Sequence, residues 1–130
     1  MSRTLLSIAL GVFMLAATVN VSSAQAEDEK VFRHVVLFKF KDGTSDAQVK
    51  QVVDAFRELK KKVDVIKGFE YGTDVSTEGR AQGFTHCFFV TFADDKGRDA
   101  YLPHPAHKEF GALVGPLLDK VLVVDYWVKK

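Results

Sequence analysis

The residue types best suited to chemistry in this 130-residue chain concentrate in the run YLPHPAH at positions 101–107. Pro105 suits the first position of a helix, where its fixed φ and missing N–H cost nothing. That puts His104 at the helix cap and His107 in the first turn, where the positive end of the helix dipole disfavours imidazolium. A neutral imidazole can take a proton, and the phenol of Tyr101 just upstream can donate to a developing oxyanion. Tyr101 and His107 are therefore the candidate catalytic pair. The plainer alternative is structural: His104 caps the helix and His107 packs.

The other two histidines, His34 and His86, fall in runs otherwise made of Phe and Val. A buried imidazole needs hydrogen-bond partners that phenylalanine cannot supply, so both are candidate ligand-binding residues, with His104 beside them. If their strands are parallel neighbours in the middle of a sheet, the two rings point into one space. A metal centre is not expected. His104 and His107 have one-turn spacing, but His104 lies outside the helix proper, and there is no HExxH or other closed ligand set. Nor is there a glycine-rich phosphate loop, a G-x-S-x-G elbow or a carboxylate pair, and no cofactor is implied. Cys87, the single cysteine, sits mid-strand in an apolar run and reads as a buried, inert thiol.

The elements that must position these groups are legible from periodicity. Residues 31–40 (VFRHVVLFKF) form a strand with Phe32, His34, Val36, Phe38 and Phe40 on one face and Val31, Arg33, Val35, Leu37 and Lys39 on the other. Ser45 and Gln48 make a capping box ahead of an amphipathic helix carrying Val49, Val52, Val53, Phe56, Leu59 and Val63 at helical spacing. Strands follow at 69–75 and 84–92. A short helix over 94–102 is broken by Pro103, a second runs from Pro105 to about 118, and a last strand covers 121–128. The order β-α-β-β-α-β is the split βαβ, or ferredoxin-like, arrangement of an α+β domain. Helices cover one face of such a sheet, yet here Val35, Leu37 and Phe89 make the other face apolar too. Two copies packing those faces together would close a barrel, so a homodimer is expected.

Composition and the amino-terminal stretch set the address. Arg3, an apolar run over 5–17, and small residues ending in Ala24-Gln25-Ala26 follow the order of a cleavable secretory leader. The apolar run is shorter than the roughly 20 residues a bilayer span needs, so no stable membrane anchor is expected after cleavage. The expected division is a signal peptide over 1–26 and a mature domain over 27–130, exported to the periplasm or secreted. The chain carries 18 Lys and Arg against 17 Asp and Glu, and loss of Arg3 makes the two equal. Nucleic-acid binding, which needs a basic stripe, is not indicated. The one basic run, Lys60-Lys61-Lys62, sits at the end of the first helix, where cations complement the dipole.

Taken together, the run 34–41 (HVVLFKFK), the run 83–92 (GFTHCFFVTF), and YLPHPAH at 101–107 with Phe110 and Gly111 resemble the stress-responsive A/B barrel (Dabb) family over nearly the whole mature domain. The resemblance implies a dimeric α+β barrel. The family includes a plant enzyme that cyclises a linear polyketide thioester by intramolecular aldol condensation. By that likeness Tyr101 and His107 do acid–base work, and His34 and His86 line a pocket. Phe56 replaces a pocket tyrosine on the first helix. Coenzyme A thioesters are cytosolic, so export separates this chain from such a substrate. The expected function is thus binding of a small, largely apolar molecule in a His/Tyr-lined pocket. The alternatives are a cofactor-independent aldol, cyclase or isomerase-type enzyme using Tyr101 and His107, and a ligand-free structural dimer.

Overall fold

The computed structural model describes residues 30–130; the expected leader and cleavage site lie outside the described residues. Alternating Phe and Val in Phe32–Phe40 build β1, whose even-numbered residues turn into the core. The Ser45 side chain accepts a hydrogen bond from the Gln48 backbone N–H, and the Gln48 side chain accepts one from the Ser45 N–H, so both orphan donors are satisfied at the start of α1 (Asp46–Lys62). The helix buries Val52, Phe56 and Leu59 and carries Lys60, Lys61 and Lys62 in its last turn, as its periodicity predicts. Next come β2 (Ile66–Thr73) and β3 (His86–Phe92). Gln82 and Gly83 turn the chain into β3 through left-handed φ angles of 56° and 83°. Pro103 separates α2 (Asp95–Tyr101) from α3 (Pro105–Val114). A 3₁₀ turn, Gly115–Leu117, then leads into β4 (Leu118–Trp127).

The four strands form one sheet in the order β2-β3-β1-β4, with every neighbouring pair antiparallel. This is the expected ferredoxin-like α+β arrangement, with one correction: β1 and β3 are central neighbours but run antiparallel, not parallel. The reason is topological. The helical crossover α1 returns the chain so that β2 runs parallel to β1, and the hairpin then reverses it. A third strand inserted between those two must oppose both.

Helices cover the face carrying Phe32, Val36, Phe38, Phe88, Val90 and Phe92. Its centre is aromatic. Phe56 stacks on Phe88 at 4.4 Å between ring centroids and lies 4.6 Å from Phe110. Burying one such ring contributes about 1.5–3 kcal/mol. The register puts Val35, Val124 and Phe89 in line on the opposite face, with Leu37, Leu122 and Cys87 in line beside them. No helix lies on that face among the described residues, and Leu122 and Val124 are 45 % and 48 % exposed. Among the described residues no helix is long and apolar enough to cross a membrane.

Candidate functional site

The end of the sheet where β1, β4 and the α2–α3 junction meet gathers three of the predicted residues. His34 is buried on the helix-covered face, its ring edge-on to Tyr101 at 5.8 Å and tilted against Phe92 at 6.3 Å. Tyr101, the last residue of α2, has no solvent exposure, and its ring lies 4.4 Å from that of His107. Pro103 produces this approach: it ends α2 just after Tyr101 and lets α3 begin at Pro105, so His107 folds back over the phenol.

Protonation follows from the partners. His107 Nδ1 lies 2.9 Å from the carbonyl oxygen of Leu102. A carbonyl only accepts, so Nδ1 carries the hydrogen and Nε2 is the free acceptor of the neutral ring. Burial lowers the His107 pKa, partly offset by the Leu102 hydrogen bond, and His34 lowers it further. The lowered pKa favours the neutral ring, and its main cause is desolvation rather than the helix terminus. Burial also pushes the Tyr101 phenol well above its ordinary range, which keeps it a hydrogen donor.

His34 has a partner that its own strand could not reveal. Its Nδ1 lies 2.6 Å from Oδ1 of Asp125, its register partner on β4. Oδ2 of the same carboxylate accepts from Arg98 Nη1 at 2.9 Å. Arg98 also contacts Asp99 and lies over the Phe32 ring at 4.9 Å. Asp125 and Arg98 were not among the residues singled out from the sequence. One signal for Asp125 was available: it is the lone carboxylate inside the apolar run VLVVDYWV, and a half-buried charge requires pairing.

The remaining candidates lie elsewhere. His104 Nδ1 accepts from the Ala106 N–H at 3.0 Å and caps α3, the role the plainer alternative assigned to it. His86 pairs with Phe38 across the sheet while His34 pairs with Val90. Four strand residues, about 13 Å, therefore separate the two histidines along the sheet, and the shared space expected of parallel strands does not form. His86 bonds Thr85 Oγ1 at 2.9 Å, sits edge-on to Phe40 at 5.4 Å, and has its pKa lowered by burial. It lines two concavities, one of about 360 Å³ with Arg80, Phe84 and Cys87, the other of about 480 Å³ with Val53, Arg57 and Tyr71. Burial raises the Cys87 pKa, with help from the Glu70 charge, which keeps it a thiol. Phe56 is packed in the aromatic core between Phe88, Phe69 and Phe110. Among the described residues no cluster of three His, Cys, Asp or Glu side chains could hold a metal ion.

Residues 32–128 match the family described as the stress-responsive A/B barrel domain. The chain is 40 % identical over 94 residues to the stress-response A/B barrel domain-containing protein HS1 of Arabidopsis thaliana, covering 72 % of this chain and 86 % of that protein. It is 31 % identical over 98 residues to the olivetolic acid cyclase of Cannabis sativa, covering 75 % and 97 %. The hydroxynitrile lyase of Passiflora edulis superposes with a TM-score of 0.74 at 27 % identity, covering 78 % of this chain and 96 % of that one. A protein of Thermobifida fusca described as dimeric and ferredoxin-like superposes at 0.67 with 24 % identity, covering 78 % and 93 %. A shared fold alone hosts unrelated activities, but the family match spans every element described above. The chain belongs to the stress-responsive A/B barrel domain family.

Proposed function

We propose that this protein is exported and acts as a homodimer that binds a small, largely apolar carbonyl compound beside Tyr101 and His107, exchanging a proton with it. The observation that carries the reading is the Tyr101–His107 pair: a desolvated phenol that stays protonated, 4.4 Å from an imidazole whose Nδ1 is committed to Leu102. Donor and acceptor sit side by side. Phenol donation to a carbonyl oxygen and proton removal by Nε2 are the two halves of an addition or elimination at carbonyl carbon. Two relatives are named as a hydroxynitrile lyase and a cyclase, which supports this class of chemistry. The apolar run and A-x-A exit before Glu27 support export.

The test is a thermal-shift and turnover screen with aromatic cyanohydrins, their aldehydes and linear poly-β-ketones, alongside native mass spectrometry of protein recovered from the exported fraction. The wild type is expected to be stabilised by at least one class, and His107→Ala and Tyr101→Phe to lose the response while keeping the wild-type circular dichroism. Both variants responding as wild type would overturn the assignment. A second reading, a structural dimer without ligand, is favoured by the complete burial of Tyr101. A wild type that answers no probe and carries no co-purified molecule would establish it in place of the first.

A further inference from the structure

We propose that Arg98 is a positioning residue: by holding Oδ2 of Asp125 it keeps that carboxylate aimed at His34, and the carboxylate in turn keeps the hydrogen of a neutral His34 on Nδ1. The inference deepens the proton-exchange reading and gives the buried imidazole beside Tyr101 a defined donor and acceptor side. The geometry is a three-member chain across α2, β4 and β1. Arg98 Nη1 donates to Asp125 Oδ2 at 2.9 Å, and Asp125 Oδ1 lies 2.6 Å from His34 Nδ1. A guanidinium has only donors and an ionised carboxylate only accepts. Oδ1 of that carboxylate can serve His34 only as an acceptor, so Nδ1 holds a hydrogen, and a ring carrying one hydrogen keeps Nε2 as its acceptor.

Arg98 is itself fixed. Its side chain is three-quarters buried, and the guanidinium is paired with Asp99 as well as Asp125 and lies over the Phe32 ring at 4.9 Å. The hydrogen bonds it donates to Asp125 and Asp99 raise its pKa further, so it is a permanent cation. A planar fork held this way offers a fixed donor to the carboxylate, which a flexible ammonium supplies less rigidly. His34 packs 5.8 Å from the Tyr101 ring, which lies 4.4 Å from that of His107, so the orientation of its donor and acceptor sides bears on both candidate proton-exchanging groups.

The test reads the tautomer directly, with no ligand, by nitrogen NMR of the folded protein carrying ¹⁵N-labelled histidine at pH 8. In the wild type the His34 hydrogen is expected on Nδ1. In Asp125→Asn, Arg98 must take the amide carbonyl, which turns the amide NH₂ toward His34. Nδ1 then becomes an acceptor, and the hydrogen is expected to move to Nε2. Adding Arg98→Met frees the amide to turn over and is expected to restore a population with the hydrogen on Nδ1, whereas adding Arg98→Lys keeps a donor and is expected to leave it on Nε2. A purely structural role for Arg98 predicts no such reversal. The proposal is overturned if Asp125→Asn keeps the hydrogen on Nδ1, or if Asp125→Asn/Arg98→Met leaves it on Nε2. Should the Asp125→Asn protein not fold, Arg98→Met alone is read. The separation between the two His34 nitrogen signals is expected to narrow as both tautomers become populated, and an unchanged separation overturns the proposal. A failed ligand screen would sink the proposed function and leave this tautomer result standing, so the two failures are distinguishable.

Discussion

At the scale of single residues, His107 and His86 link stability to pH through one cause, since burial lowers both pKa values below that of a free imidazole. The unfolded chain titrates near 6.5, above the folded state. Over a falling pH the unfolded chain therefore takes up protons first. The stability these groups confer is complete above about pH 6.5 and is lost as pH drops through their folded values. Calorimetry between pH 7.5 and 5.5 should show a falling melting temperature, with a shallower slope in His86→Phe, whose ring suits the neighbouring Phe40 and Phe88. Identical slopes in the two proteins would refute the link. The same scale shows what local spacing can and cannot reveal. The run 101–107 encoded its own geometry, because Pro103 and Pro105 fix where one helix stops and the next starts. Asp125 lies 91 positions from His34 and 27 from Arg98, and only strand register brings the three together.

At the scale of elements, α1 illustrates a local signal that suffices. Ser45 and Gln48 satisfy each other's orphan groups, and the hydrophobic stripe follows without interruption. Ser45→Ala should cost about 1 kcal/mol in chemical denaturation, with no change in the slope of free energy against denaturant, because the surface buried by the fold is the same. A loss below a few tenths of a kcal/mol would mean that solvent caps the helix equally well. Strand limits were less legible. β2 was expected over 69–75 but forms at Ile66–Thr73, since its ladder to β3 begins at Ile66–Phe92 and ends at Thr73–His86. Alternation in an edge strand whose residues past Phe69 are exposed says which side chains share a face, not where the partner stops. The direction of β3 against β1 was likewise invisible to alternation, which is the same for parallel and antiparallel strands. That one error carried the placement of His86 with it.

At the scale of the whole molecule, the sheet face without helices decides the assembly. Leu37, Phe89, Cys87, Leu122 and Val124 share it, and a monomer would leave this patch in water. Apolar patches of this kind rimmed by polar groups mark association surfaces, and a specific interface needs about 800 Å² from each partner. A second copy supplies the same surface by two-fold symmetry, so every contact made at Val124 is made twice. Val124→Glu would then place two carboxylates in an apolar seam, a cost of several kcal/mol unless the copies part. Light scattering at micromolar concentration should give twice the chain mass for the wild type and the single-chain mass for Val124→Glu, with circular dichroism unchanged. A wild type at single-chain mass would refute the dimer. A Val124→Glu protein that remains a dimer would move the interface to another surface, away from the face that the alternation of β1 and β3 had already marked as apolar.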